Sequence, residues 1–106
     1  IRETEKIIIQ FRAKNQHLVV LAPLLFECHM EHLFDTTVYI YTDYVIRKYR
    51  LMKFRKFRSE KHIEFFDVLQ IPPEKKFLIC DHVLLNNSDR DCDLYKSIET
   101  LFMKIF

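Results

Sequence analysis

Residues 18–27, which read Leu-Val-Val-Leu-Ala-Pro-Leu-Leu-Phe-Glu, decide the fold. A strand that is covered on both faces shows a continuous Val/Leu run rather than alternating apolar and polar residues. Pro23 has no amide hydrogen to donate to a β-ladder, so pairing should stop near Ala22. The sequence therefore predicts a buried strand over residues 18–22 that delivers a loop to a site, because ligands of open α/β sheets bind just beyond the carboxyl ends of strands.

The composition indicates one small globular domain. The chain has 106 residues, 49% of them hydrophobic, and ten are Phe. No apolar stretch approaches the ~20 residues that span a bilayer, and no signal sequence is recognisable, so a cytoplasmic protein is expected. Three cysteines without C-x-x-C spacing favour neither a disulfide framework nor a zinc knuckle. A chain without glycine cannot contain a glycine-rich phosphate cradle.

Strand and helix signals alternate along the chain, which is typical of parallel βαβ units and predicts an α/β fold. Besides residues 18–22, strands are predicted over the β-branched and aromatic run 36–41 and over 82–85. Helical periodicity, Ser59 as an N-cap and Pro73 in a first turn predict the helices. These helices cover residues 2–15, 27–34, 43–57, 59–70, a segment from Pro73 onward, and 91–106.

The helix after residue 43 is strongly basic. Residues 47–61 contain eight Lys and Arg against one Glu. A plain interpretation is a solvated amphipathic face. A second is a surface for nucleic acid, with Tyr49, Phe54 and Phe57 as stacking platforms, but the chain has no recognised nucleic-acid motif and we favour this less.

Four segments, in order and at matching spacing, resemble the C-terminal half of dephospho-CoA kinase, a P-loop kinase family. They are VVLAPLLFE at 19–27, TTVYIYTD at 36–43 followed by RLMK at 50–53, QIPPEKK at 70–76, and CDHVLLN at 80–86. The resemblance covers residues 1–106 and implies a partial P-loop NTPase kinase fold with three parallel strands, helices and a helical lid. Residues 43–80 correspond to the CoA-binding and lid helices.

The resemblance also implies an activity. The family uses ATP to phosphorylate the ribose 3′-hydroxyl of dephospho-CoA in the last step of coenzyme A biosynthesis, with Mg²⁺ carried by the nucleotide. The expected partners are therefore ATP and dephospho-CoA, with no membrane. Glu27, Cys28, His29, Glu31 and His32 look superficially like a metal cluster, but closed zinc sites need four ligands at recognisable spacing, and no protein-held metal is expected.

The site residues that the resemblance implies fall into three groups. Arg50 and Arg55 would act in catalysis, and Lys53 and Asn86 would bind the nucleotide. Arg2, Phe26 and Glu27 would bind dephospho-CoA. Asn86 has an ordinary alternative as a turn asparagine, and Arg2 has one as a surface residue.

Two features of the match weigh against a complete kinase. The family's glycine-rich Walker loop precedes the matched region and has no counterpart here, so we expect these 106 residues not to catalyse the reaction alone. Phe54 and Phe66 stand where the family carries lid arginines, although Arg55 could replace the first by a one-residue shift. A non-catalytic, degenerate kinase half acting as a binding or scaffold module is therefore the alternative. Uncovered strand edges would also favour self-association.

Overall fold

The computed structural model of the chain describes residues 2–54 and 59–106. The chain divides into two compact units, Ile1–Asp35 and Thr36–Phe106, and each is described by itself. Within the described residues, five α-helices and two β-strands make a mixed α/β architecture.

The first unit begins with helix α1, Arg2–Ala13, which confirms the helix predicted at the start of the chain. Asn15 ends α1 in the left-handed conformation, with φ 56°. The Gln16 amide donates to the Phe11 carbonyl oxygen at 2.9 Å, and the Asn15 amide donates to that of Arg12 at 3.1 Å. This is a Schellman-type end in which asparagine takes the place of the usual glycine.

The strand predicted over residues 18–22 is wrong for this structure. The sheet of the described residues has two strands, and neither pairs with this segment. Val19 and Leu21 are 60% and 88% exposed rather than buried. An apolar run becomes a strand only when a neighbour satisfies its backbone groups, and composition alone cannot supply that neighbour. The predicted three-stranded sheet is therefore two-stranded here.

Residues 23–29 form a turn in which Phe26 is buried. His29 closes it in the left-handed conformation, with φ 55°, and the Met30 amide donates to the Leu25 carbonyl oxygen at 3.0 Å. The helix predicted over residues 27–34 is reduced to a short 3₁₀ helix, Glu31–Leu33.

The second unit is built on two parallel strands, β1 Val38–Tyr41 and β2 His82–Leu85, in the predicted segments. The side chain of Asp81 fixes where the two strands start. The Asp81 carboxylate accepts from the Thr37 amide at 2.8 Å and the Thr37 hydroxyl at 3.1 Å, while the Asp81 amide donates back to that hydroxyl at 3.1 Å. The register, Val38 beside His82 through Tyr41 beside Leu85, follows from this lock.

Three helices join the strands and a fourth follows them. They are α2 Tyr44–Phe54, α3 Glu60–Val68, α4 Pro73–Ile79 and α5 Asp91–Ile105. The Ser59 hydroxyl oxygen accepts from the His62 amide and Pro73 begins α4, so both predicted start signals are confirmed. The basic helix was predicted to continue to about Phe57, which lies outside the described residues.

Aromatic packing covers β1 with α4. The Phe77 ring lies 5.5 Å from the ring of Tyr39 and 5.1 Å from that of Tyr41, between centroids. The ammonium of Lys76, a buried residue, lies 5.4 Å from the Tyr39 centroid. Helix α5 packs on β2, and α2 on α3, where Ile63 has no exposed surface.

We expect Ile63→Val to lower the free energy of unfolding by about 1 kcal/mol, because it removes one methylene from a filled site. The matched control is Ile40→Val, since Ile40 is 50% exposed; its effect should stay below about 0.5 kcal/mol. Urea unfolding followed by circular dichroism measures both. Equal effects of the two changes would show that α3 does not pack as described.

We also expect the chain to self-associate through its unpaired apolar segment at residues 18–22. Charges on such a segment oppose strand pairing, so Val19→Lys with Leu21→Lys should shift the mass measured by light scattering toward the monomer. Val45→Lys with Val68→Lys is the control, because those side chains are 77% and 82% exposed on helices. A monomer with a cooperative thermal transition in the unmodified chain would contradict this expectation.

Candidate functional site

The carboxyl ends of β1 and β2 lead into two polar segments that bond to each other. The Asn86 amide donates to the Tyr41 carbonyl oxygen at 2.8 Å. The Thr42 hydroxyl donates to the Asn86 carbonyl oxygen at 3.0 Å. The Asp43 amide donates to Asn87 Oδ1 at 2.8 Å. We call this group the carboxyl-end cluster; it consists of residues 42–43, Arg50 and residues 86–88. Ligands bind at this end of the strands in open α/β sheets.

Arg50 joins this cluster from α2. Its guanidinium donates to the Asn86 carbonyl oxygen at 2.6 Å and to the Ser88 carbonyl oxygen at 2.8 Å. The structure therefore brings together two of the residues predicted for the site, Arg50 and Asn86. The side-chain amide of Asn86 makes no hydrogen bond with a described residue, so its donor and acceptor remain available for a ligand.

Lys53 lies one turn further along α2 and is held by an aromatic pair. Its ammonium donates to the Tyr49 hydroxyl oxygen at 2.9 Å and lies 5.3 Å from the centroids of both the Tyr49 and the Phe54 rings. The hydrogen bond with Tyr49 is the largest cause that raises the pKa of Lys53, and the charge of Asp89 adds to it. Lys53 is therefore a firmly protonated cation.

The other cations of α2 are paired with acids of α3. Arg47 forms a two-bond contact with the Asp67 carboxylate at 2.8 and 2.6 Å, and this bonding raises the pKa of Arg47. The Lys48 ammonium lies 3.0 Å from a Glu60 oxygen and lowers the pKa of that carboxyl. These pairs neutralise part of the basic surface, which weakens its suitability for a nucleic acid.

The remaining predicted residues do not join the cluster. Phe26 and Glu27 belong to the turn of the first unit, where Phe26 is 5% exposed and Glu27 is half-buried. Arg2 is the first residue of α1. Arg55 lies outside the described residues. Their roles stay predictions.

Sequence reasoning missed four members of the cluster: Thr42, Asp43, Asn87 and Ser88. Thr42 lies one residue beyond the predicted strand, and a hydroxyl directly after a strand end is a signal for capping the ladder. Ser88 had no predicted role. Its hydroxyl donates to Asp93 at 2.6 Å and accepts from the Arg90 amide, so it ties the turn to the start of α5.

Neither a metal-binding cluster nor a membrane-spanning helix occurs in the described residues. No three His, Cys, Asp or Glu side chains there gather closely enough to hold a metal ion. No helix in that part of the chain is long and apolar enough to cross a membrane.

Comparison with known proteins gives a match to a protein family. No curated protein and no solved structure matches the chain. Among protein families, residues 1–91 match the one described as CoaE, dephospho-CoA kinase. The match spans most of the 106 residues, including α1 to α4, both strands and the carboxyl-end cluster, and it confirms the resemblance predicted from four segments. The chain therefore belongs to the dephospho-CoA kinase family.

Proposed function

We propose that this chain acts as the C-terminal part of a dephospho-CoA kinase. The family match over residues 1–91 carries the proposal. In the reaction, the bond from the γ phosphorus of ATP to the bridging oxygen breaks. The ribose 3′ oxygen of dephospho-CoA forms the new bond to phosphorus, and its proton leaves to a base. The products are ADP and coenzyme A, and the expected compartment is the cytoplasm.

The cations of α2 support this proposal through their positions. Phosphoryl transfer spreads negative charge over oxygens, and fixed positive groups stabilise it. In the proposal, Lys53 of α2 meets the phosphates, and the same role is proposed from the family resemblance for Arg55, which lies outside the described residues. The Tyr49 hydroxyl oxygen accepts a hydrogen bond from the Lys53 ammonium at 2.9 Å, so this cation is positioned in advance.

Arg50 is proposed as a positioning residue for Asn86. Its two bonds to backbone carbonyl oxygens hold residues 86–88 against α2. The Asn86 side-chain amide can then donate to and accept from the edge of an adenine base. The same guanidinium keeps its charge near the bound phosphates.

The remaining predicted site residues are proposed to bind dephospho-CoA. Arg2 and Glu27 are proposed to contact it through charge and hydrogen bonds. Phe26 is buried, so its part in the proposal is to hold the turn that carries Glu27.

Magnesium is proposed to arrive with ATP. The described residues offer no set of three carboxylate or imidazole ligands, whereas Mg²⁺ in nucleotide sites is bound mostly by phosphates and water. A magnesium ion carried by the nucleotide would neutralise phosphate charge.

A scaffold or binding module is the second candidate. Phe54 and Phe66, at positions where the family resemblance expects arginines, are 65% and 43% exposed. An exposed phenylalanine cannot stabilise phosphate charge, but it can bury itself against a partner.

We expect the 106-residue chain to bind dephospho-CoA and ATP saturably, measured by isothermal titration calorimetry. No ADP should form, because a chain without glycine lacks the phosphate loop. Asn86→Ala should weaken ATP binding about tenfold, the loss of about one to two hydrogen bonds. Arg12→Gln, which removes an exposed cation of the first unit, is the control and should change binding less than about twofold.

Two substitutions of Arg50 distinguish a positioning role in ATP binding from a role of its charge. If Arg50 holds the turn, Arg50→Lys should weaken ATP binding as much as Arg50→Gln, because an ammonium cannot span two carbonyls in the same geometry. If charge alone matters, Arg50→Lys retains binding. Absence of binding by both substrates would overturn the kinase proposal in favour of the scaffold. Salt-sensitive binding of a single-stranded RNA instead would favour the nucleic-acid alternative.

A further inference from the structure

A groove of about 390 Å³ lies between β2 and α5. Leu84 from the strand and Leu101 from the helix line it, and both side chains are buried. This volume falls within the range of small-molecule sites in proteins. The groove therefore has an apolar floor and room for a small ligand.

Polar and basic side chains form the rest of the lining. From α5 come Lys96, Ser97, Thr100 and Lys104, whose spacing of one and two turns places them along one helix face. His82 contributes from β2. Two ammonium groups, two hydroxyls and an imidazole thus surround the apolar floor.

No described residue neutralises the two positive charges of this lining. Neither Lys96 nor Lys104 forms an ion pair or hydrogen bond with another described residue, and no carboxylate lines the groove. In the first turn of α5, the Asp93 carboxylate accepts a hydrogen bond from the Ser88 hydroxyl and does not line the groove. The groove therefore favours an anion.

This groove is separate from the carboxyl-end cluster. Residues 82–84 of β2 line the groove, whereas Asn86 follows the last residue of the strand, so the two sites share no residue. The α5 residues of the lining also follow residue 91, where the family match ends. The proposed kinase chemistry does not account for them.

We propose that the groove binds a phosphate-bearing small molecule. Lys96 and Lys104 neutralise the phosphate, Thr100 and His82 donate hydrogen bonds to it, and Leu84 with Leu101 contacts the apolar part of the ligand. Charge-assisted bonds from two ammonium groups to phosphate oxygens give most of the affinity.

The test is a titration of the full chain with inorganic phosphate, followed by ¹⁵N–¹H correlation spectra at constant ionic strength maintained with chloride. The expected result is saturable shifts of the His82, Thr100 and Lys104 amides, while those of residues 86–88 stay in place. Lys96→Gln with Lys104→Gln should weaken phosphate binding at least about tenfold. Lys6→Gln with Lys14→Gln removes the same charge from the first unit and should change it less than about twofold.

Three results would overturn the proposal: no saturable shift, shifts that map away from the groove, or equal affinity in the two double variants. If the Lys96 and Lys104 variant does not fold, as judged by circular dichroism, Thr100→Val removes one hydroxyl donor without a change of charge. That variant should still weaken phosphate binding. The amide shifts that phosphate causes in the unmodified chain then show where phosphate binds.

Discussion

The parallel pairing of β1 and β2 is the interaction on which the second unit depends. Each strand has four residues, too few to fix a register by apolar pattern alone. Side chains fix it instead at both ends. Thr37 and Asp81 exchange bonds where the strands begin, and Thr42 and Arg50 hold the Asn86 carbonyl where they end. Helices α2 to α4 form the crossover that parallel strands require, so their placement also follows from this pairing.

The absence of glycine shapes the first unit and limits the chemistry. Left-handed backbone positions fall on Asn15 and His29, where a residue with a Cβ costs about 1 kcal/mol or more. Both close turns that a glycine would close without strain. The same absence means that no glycine-rich backbone loop can wrap a phosphate group within these residues. Side-chain cations and hydroxyls therefore become the main candidates for holding a phosphate here, so the environment of each cation matters.

Local signals predicted local structure well. Ser59, Pro73 and the helical periodicities predicted α1 to α5 because capping and amphipathicity act within one or two turns, but the helix predicted over residues 27–34 is only a 3₁₀ turn. Residues 18–22 failed because a strand needs a partner that its own sequence does not contain. The same contrast between local signals and distant partners applies to the site. Family resemblance pointed to Arg50 and Asn86, but their contact joins a side chain to a carbonyl oxygen 36 residues away, and backbone carbonyls leave no mark in a sequence.

The two arginines of α2 show why such partners decide function. Arg47 faces a carboxylate, which holds it through two bonds and cancels its charge. Arg50 faces two carbonyl oxygens, which also hold it through two bonds but carry no net charge. A guanidinium fixed by carbonyls keeps its full charge and further N–H donors for a ligand. Positive groups stabilise a phosphoryl transfer only if they are fixed beforehand and not already neutralised. By that criterion Arg47 serves the packing of α2 on α3, whereas Arg50 combines rigidity with available charge beside the polar turn where the strands end.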